Sequence, residues 1–124
     1  AANLTPRIKR QLDIQQQITD MRPGMMGAVD FGTARRANYD ANEPIFGKTG
    51  TCTDSRTHLG WFGSFNEVGR HRLVVVVLLT GGKSINGPVA AGIAGQVYKN
   101  LSAQQFFAAE RTIAPTALIH GEVR

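Results

Sequence analysis

The longest uninterrupted run of apolar residues lies past the middle of the chain, from Leu73 to Leu79. A strand with one solvated face alternates apolar and polar residues, whereas a strand covered on both faces is apolar at every position. Asn66-Glu67-Val68-Gly69 lies just before this run and has the composition of a hairpin turn. The pattern therefore predicts a strand from Arg72 to Thr80 that is buried on both faces.

Two more strands are predicted before the turn. Ile45 to Thr51 is the first, and the second begins at His58 or Leu59 and ends at Phe65. Cys52 to Thr57 is polar and predicts the loop between them. Three antiparallel strands follow from this order.

Helical periodicity precedes the strands. Thr5-Pro6 suits a helix start, and an apolar stripe through Ile8 and Leu12 predicts a helix that ends near Asp20 or Met21. We predict that Pro23 interrupts the pattern and opens a second helix, closed by Gly32. The methionines of this second helix, Met25 and Met26, are predicted to pack in the core.

Helical periodicity returns after the strands. Pro88 to Leu101 carries small and apolar residues on a broad face and predicts a helix that packs closely on the sheet. Ser102, with Gln105, predicts the cap of a further short helix that ends at Glu110. Ala34 to Pro44 is predicted to be a loop, and residues 111–124 to be irregular. The fold class is therefore α+β: an antiparallel three-stranded sheet with flanking helices.

Composition and charge narrow the classes of function. Among 124 residues, 42% are apolar and 19% charged, which is typical of a globular chain. The net charge is +5, but the basic residues are scattered, which favours a solvated surface over a nucleic-acid interface. Only Arg35-Arg36 has a position suited to a phosphate or carboxylate. The single cysteine, Cys52, excludes an intrachain disulfide, and the scattered histidines do not have metal-ligand spacing.

No run approaches the roughly 18 apolar residues of a membrane span, and the amino end lacks the pattern of a secretion signal. We therefore expect no membrane contact by this chain.

Candidate chemistry is concentrated on the first strand, in Phe46-Gly47-Lys48-Thr49-Gly50-Thr51. Glycines on both sides of Lys-Thr predict a bare strand that a ligand backbone approaches closely. Alternation sends Thr49 and Thr51 to one face, so that Lys48 leaves on the other face and must curl along the strand to meet the same ligand. A lysine and two hydroxyls favour an anionic ligand.

Gly-Lys-Thr-Gly-Thr followed by Gly60-Trp61-Phe62 resembles the third motif of penicillin-binding proteins and serine β-lactamases, which is K-T-G in the set S-x-x-K, S-x-N and K-T-G. Met26 to Ala34, with Gly-Thr-Ala at its end, is similar to the run that precedes K-T-G in penicillin-binding transpeptidases. The apolar strand and the helix from Pro88 to Leu101 resemble the last strand and last helix of that domain. The resemblance extends roughly from Thr5 to Leu101.

The resemblance implies a fold and a domain organisation. Residues 1–101 would be the C-terminal portion of a transpeptidase domain, an α/β sandwich, and residues 102–124 an extension of unknown role. The family acts in the cell envelope, on the outer face of the cytoplasmic membrane, usually with an anchor at its amino end. We expect that anchor to lie outside this chain.

The resemblance also implies an activity. A serine attacks a D-alanyl-D-alanine stem peptide or a β-lactam, and the acyl-enzyme passes to an amine or to water, without a cofactor. Lys48 would add positive charge beside the nucleophile, and the backbone N–H of Thr51 would stabilise the oxyanion. Thr49 and Thr51, beside Gly50, would bind the substrate carboxylate.

The nucleophile of that chemistry is missing. None of the four serines has lysine three positions later, and we interpret the formal S-x-N matches at Ser64 and Ser84 as chance, because both follow K-T-G. The chain is thus predicted to hold half an active site and to be inactive alone. Either the missing amino-terminal part of the domain or a second copy is expected to pair at Val74 to Leu79, since an apolar edge strand is otherwise exposed.

Other functions stay open. A class D-like β-lactamase or a β-lactam sensor shares K-T-G, and a non-catalytic module that dimerises through the strand edge fits the missing serine. Cys52 with His58 as base is a less favoured nucleophile. Gly47-Lys48-Thr49 and Gly82-Lys83-Ser84 mimic phosphate-binding loops, but the required earlier glycine is absent from both.

Overall fold

The computed structural model describes residues 2–108 as an α+β fold with a three-stranded antiparallel sheet. The helices and strands, in chain order, are α1 (Gln15–Asp30), a 3-10 turn (Arg35–Ala37), β1 (Ile45–Thr53), β2 (His58–Asn66), β3 (Val74–Gly81) and α2 (Gly87–Ala103). The spatial order of the strands is β1-β2-β3, so β1 and β3 are the two edges. The predicted α+β class and the antiparallel three-stranded sheet are confirmed, and the ends of the strands differ from the predicted ends by one or two residues.

The register of the sheet defines two faces. Ile45 lies opposite Asn66, and Phe65 lies opposite Val74. Cross-strand partners share a face of the sheet, and successive residues of each strand alternate between the two faces. The inner face, which includes Phe62, packs against α2, and its core is completed by residues from α1, the 3-10 turn and the segment after α2. That core consists of Val29, Ala34, Ala37, Ile45, Phe62, Ala90, Ala91, Ala94, Tyr98 and Phe107.

The prediction that β3 is buried on both faces is wrong for residues 2–108. Burial alternates along the strand: Val74, Val76 and Leu78 are 71%, 66% and 65% exposed, while the residues between them pack towards the core. An uninterrupted apolar run cannot specify which face is covered, because coverage depends on what packs against it. Among the described residues the second face of β3 has no covering layer.

The first helix also departs from prediction. α1 begins at Gln15 rather than near Thr5, and Ile8 and Leu12 are 85% and 59% exposed. A short helix without a packed apolar face is marginal, which explains why the stripe alone does not form one here. Pro23 lies inside α1 instead of interrupting it, and Met26 is exposed rather than packed in the core.

An arginine fastens α1 to the outer face of the sheet. Arg22 forms a bidentate ion pair with Glu67, in which the hydrogen bond from Arg22 Nη1 to Glu67 Oε1 is 3.0 Å long. The guanidinium carbon of Arg22 lies 4.7 Å from the ring centre of Phe46. Phe46 stacks on its cross-strand partner Phe65 with ring centres 5.0 Å apart. The hydrogen bond from Arg22 lowers the pKa of Glu67 below its usual value.

Two residues close to each other in the chain explain why α2 starts where it does. The Asn86 side chain accepts a hydrogen bond from the Val89 N–H at 3.0 Å, and Pro88 occupies the first turn. Ser102 does not cap a further helix as predicted, because it lies in the last turn of α2 and donates to Glu43 at 2.9 Å. The predictions for residues 109–124 fall outside the described residues.

Glu43 joins the segment before β1 to the end of α2. It accepts hydrogen bonds from the Tyr39 hydroxyl and from Ser102. Burial, and then the bond to Glu43, raise the pKa of Tyr39. The predicted loop from Ala34 to Pro44 is therefore bonded to the end of α2 through Glu43 and Ser102. It also contains the 3-10 turn, which the sequence did not predict.

Two glycines of α2 provide a matched test of this packing. An alanine Cβ at Gly95 would lie 2.8 Å from the Cα of Ala37 and 2.9 Å from its carbonyl oxygen, whereas at Gly92 the nearest atom is the Arg36 Cβ at 3.6 Å. Helix propensity favours alanine at both sites by roughly 1 kcal/mol, but overpacking costs about 1 to 3 kcal/mol. We expect Gly92→Ala to raise the urea midpoint and Gly95→Ala to lower it. Equal midpoints for the two variants would contradict the close contact at Gly95.

No helix among residues 2–108 is both long enough and apolar enough to cross a membrane.

Candidate functional site

The K-T-G segment, Lys48 to Gly50, lies in the middle of β1, which is one edge of the sheet. Thr49 is 8% exposed and points towards the inner face, as does Thr51, while Lys48 leaves on the outer face. The predicted alternation of these side chains is confirmed.

Lys48 curls along the strand, as the sequence predicted. Its Nζ donates a hydrogen bond to the carbonyl oxygen of the next residue, Thr49, at 2.7 Å. The side chain is exposed overall, so this ammonium group stays accessible to an anion on the outer side of β1. The hydrogen bond holds the charge close to the backbone of the K-T-G segment.

Thr49 makes a contact that the sequence did not predict. Its Oγ1 lies 2.7 Å from the Oγ1 of Thr33, and either hydroxyl can donate. Thr33 is the central residue of the G-T-A segment, Gly32 to Ala34, in the turn after α1. Two segments that the resemblance treated as separate motifs are therefore joined by a hydrogen bond. The sequence shows a hydroxyl residue, Thr33, in the G-T-A segment. It does not show the hydrogen-bond partner of Thr33, because that partner depends on how α1 packs beside β1.

Thr51 is bound by the first residue of α2. The Gly87 N–H donates to the Thr51 Oγ1 at 3.0 Å. A Cβ at Gly87 would lie 2.7 Å from the Cβ of Thr49, so the helix start fits against β1 only because this position lacks a side chain. The first residue of α2 therefore packs against the inner face of β1 at Thr49 and Thr51.

The glycines around Lys48 have a different role from the one predicted. A Cβ at Gly47 would lie 2.4 Å from the ring of Phe62, and one at Gly50 would lie 1.7 Å from the indole nitrogen of Trp61. Aromatic rings of β2 thus cover both glycines from opposite faces, and the faces of β1 are not bare there. The second edge of β1 has no strand partner, since β1 pairs with β2 alone among the described strands.

The alternative pair of Cys52 and His58 is not supported. In the register of the sheet Cys52 lies opposite Leu59 and Thr53 opposite His58, which puts the thiol and the imidazole on opposite faces. The Nδ1 of His58 lies 3.1 Å from the Thr53 hydroxyl instead. This geometry excludes His58 as the base for Cys52 in this conformation.

Both formal S-x-N matches have structural roles. Ser64 is buried and donates to the carbonyl of Val75 at 2.9 Å, so the Tyr98 hydroxyl, 3.0 Å away, donates to Ser64. Burial raises the pKa of the Tyr98 phenol. Asn86, the last residue of the second match, caps α2. The Ser64 hydroxyl is therefore engaged in the core and is not free to act as a catalytic group.

Within residues 2–108 there is no group of three or more histidine, cysteine or acidic side chains that is arranged to hold a metal ion. Comparison of the chain with protein-family models, with curated proteins and with solved structures gave no match.

Proposed function

We propose that this chain supplies the K-T-G strand of a penicillin-binding D,D-transpeptidase, which cross-links peptidoglycan stem peptides through a serine acyl-enzyme and binds β-lactams. The observation that carries the proposal is the hydrogen bond between Thr33 and Thr49, which joins the G-T-A and K-T-G segments. Two sequence segments that resemble one family in order also meet in space, as parts of one site would.

The geometry of β1 supports the chemistry that we propose for it. The exposed ammonium of Lys48 lies beside the open edge of the strand and would stabilise negative charge near an incoming serine. The backbone N–H of Thr51 would donate to the oxyanion of the tetrahedral intermediate. Because Thr49 and Thr51 already have hydrogen-bond partners, the substrate carboxylate would have to share or replace the bonds to Thr33 and Gly87.

The serine nucleophile must come from another polypeptide segment, because no serine of this chain is followed three positions later by lysine. Within residues 2–108 the outer face of β3 is exposed and one edge of β3 is unpaired, which supports the proposal that the missing part of an α/β sandwich packs there. Such a domain would act on the outer face of the cytoplasmic membrane, with its anchor outside this chain.

One observation favours a second candidate function. Val74, Val76 and Leu78 form an exposed apolar row on the outer face of β3, and the edge of β3 away from β2 has no strand partner among the described residues. Such an edge also suits a non-catalytic module in which two copies pair along Val74 to Leu79. A stable dimer of this chain in light scattering, with no acylation in any longer polypeptide, would favour that module. Hydrolysis of a chromogenic lactam by the complete domain would instead favour a β-lactamase.

The proposal is tested by acylation with a fluorescent penicillin. The chain alone should gain no adduct in its intact mass, and a polypeptide that contains this chain together with the proposed upstream serine segment should be labelled. Peptide mapping should place the adduct on a serine outside residues 1–124. An adduct on Cys52 or on any serine of this chain, or an unlabelled longer polypeptide, would contradict the proposal.

A further inference from the structure

A cavity of about 490 Å³ lies between the turn after α1 and the start of α2. Its volume is within the range of small-molecule sites, roughly 300 to 1,000 Å³. The residues that line it are Phe31, Gly32, Thr33, Arg35, Arg36, Asn86 and Pro88. Two of these are arginines and none is acidic, so the cavity has a positive lining.

The two arginines are available to a ligand. Both are exposed, and among residues 2–108 neither forms an ion pair or a side-chain hydrogen bond. Arg36 is also oriented, because its Cβ and Cδ would lie 3.6 and 3.8 Å from a Cβ at Gly92 of α2. Its aliphatic stem therefore lies beside α2, and the residue lines the cavity.

An aromatic ring stands at the same cavity. Phe31 is 81% exposed although a large apolar side chain is usually covered. The ring stays close to the helix, since a Cβ at Gly27 would lie 2.8 Å from it. A ligand that combines an anionic group with an apolar portion would contact both the arginines and this ring.

The cavity is connected to the K-T-G segment but is a separate place. Thr33 lines the cavity and bonds to Thr49, and Asn86 and Pro88 flank Gly87, which bonds to Thr51. Lys48 leaves β1 on the opposite face. An anion in the cavity would therefore contact the residues that support Thr49 and Thr51, and would not occupy the position of the reacting carbonyl proposed above.

We propose that this cavity binds an anionic group, a carboxylate or a phosphate, through the guanidinium groups of Arg35 and Arg36, with the ring of Phe31 covering an apolar part of the same ligand. Guanidinium groups match the planar, bidentate geometry of both anions. The site needs no nucleophile and no part of the missing domain, so its test is independent of the proposed transpeptidase function.

The test is a titration of the isotopically labelled chain, followed by NMR, with benzoate, phenylphosphate, acetate and inorganic phosphate at constant ionic strength. We expect saturable shifts confined to the amides of Gly32 to Ala37 and of Asn86. The two aromatic anions should bind more tightly than acetate and phosphate because of Phe31. The ratio of benzoate to phenylphosphate affinity distinguishes a carboxylate site from a phosphate site.

Matched double variants test the arginines. Arg35→Ala with Arg36→Ala should weaken binding about tenfold or more, because charge-assisted hydrogen bonds are lost. Arg7→Ala with Arg10→Ala removes the same charge from the exposed segment before α1 and should leave the affinity unchanged. The double substitution to lysine keeps the charge but loses the bidentate geometry and should give an intermediate affinity.

Shifts that spread over all basic residues, that do not saturate, or that weaken equally in both double-alanine variants would overturn the proposal. If the Arg35 and Arg36 variants fail to fold, the location and saturation of the shifts in the unchanged chain still decide the question.

Discussion

In the complete transpeptidase domain that we propose, replacement of Lys48 by alanine is expected to slow acylation by a fluorescent penicillin by about 10² to 10⁴-fold. The proposed role of Lys48 is to place positive charge at the open edge of β1, where negative charge develops during attack by the serine. The Nζ of Lys48 lies 2.7 Å from the Thr49 carbonyl, so the charge is already held beside the K-T-G segment. Removing it should raise the barrier of the chemical step. The measurement is the second-order acylation rate constant.

The fold should tolerate this substitution. Lys48 is exposed, and a single hydrogen bond to a backbone carbonyl contributes only about 1 kcal/mol. Unfolding in urea should therefore change little, which separates a chemical effect from a loss of structure.

Lys83 provides the matched control. It is also a lysine between glycine and a hydroxyl residue, in Gly82-Lys83-Ser84, but it lies in the exposed loop after β3. Lys83→Ala should leave the acylation rate within about twofold of that of the wild-type domain, since Lys83 is exposed and solvent and salt screen its charge. Equal rates for the two variants, or a decrease below tenfold for Lys48→Ala, would exclude the proposed role of Lys48.

Replacement of Phe62 by alanine is expected to reduce the free energy of unfolding by about 3 to 5 kcal/mol. Phe62 is fully buried between the sheet and α2, and its ring lies against Gly47 of β1. The loss combines transferred apolar surface with the cavity left behind. Small domains are stable by only about 5 to 15 kcal/mol, so this one side chain accounts for much of the total. Urea unfolding followed by circular dichroism measures the change.

The same substitution at Phe31 is the control. Phe31 is 81% exposed, and a change there should stay within about 0.5 kcal/mol. A loss at Phe62 below about 1 kcal/mol would mean that this ring is not a principal part of the core. Because Phe62 is also the cross-strand partner of Thr49, the variant should disturb the K-T-G segment as well.

The pattern of apolar and polar residues predicted the three strands better than it predicted the first helix. The strands were predicted to within one or two residues, because a polar loop and a hairpin turn separate three apolar segments. The first helix was not, since Ile8 and Leu12 have helical spacing but nothing to pack against in the described residues. Pro23 was predicted to break a helix that in fact continues through it.

The candidate site shows the same division. Alternation along β1 was enough to predict that Thr49 and Thr51 share a face and that Lys48 curls back from the other. It was not enough to predict that Trp61 covers Gly50, because that contact requires the register between β1 and β2. The glycines that suggested a bare strand are instead the positions that accommodate aromatic rings.

The sequence by itself determined the α+β class, the succession and antiparallel direction of the strands, the start of α2 at Gly87-Pro88 and the alternation of side chains on β1. These features depend on interactions between residues close in the chain or on the period of a strand, so they are readable from a single sequence. Only the tertiary structure decided that Thr33 bonds to Thr49, that the Gly87 N–H reaches Thr51, that Arg35 and Arg36 border one cavity, and that one face of β3 is uncovered within residues 2–108. The two hydrogen bonds and the cavity bring together segments that are at least 16 positions apart in the chain, and the exposure of β3 depends on which layer covers its face. Local periodicity determines neither long-range contacts nor the covering of a face.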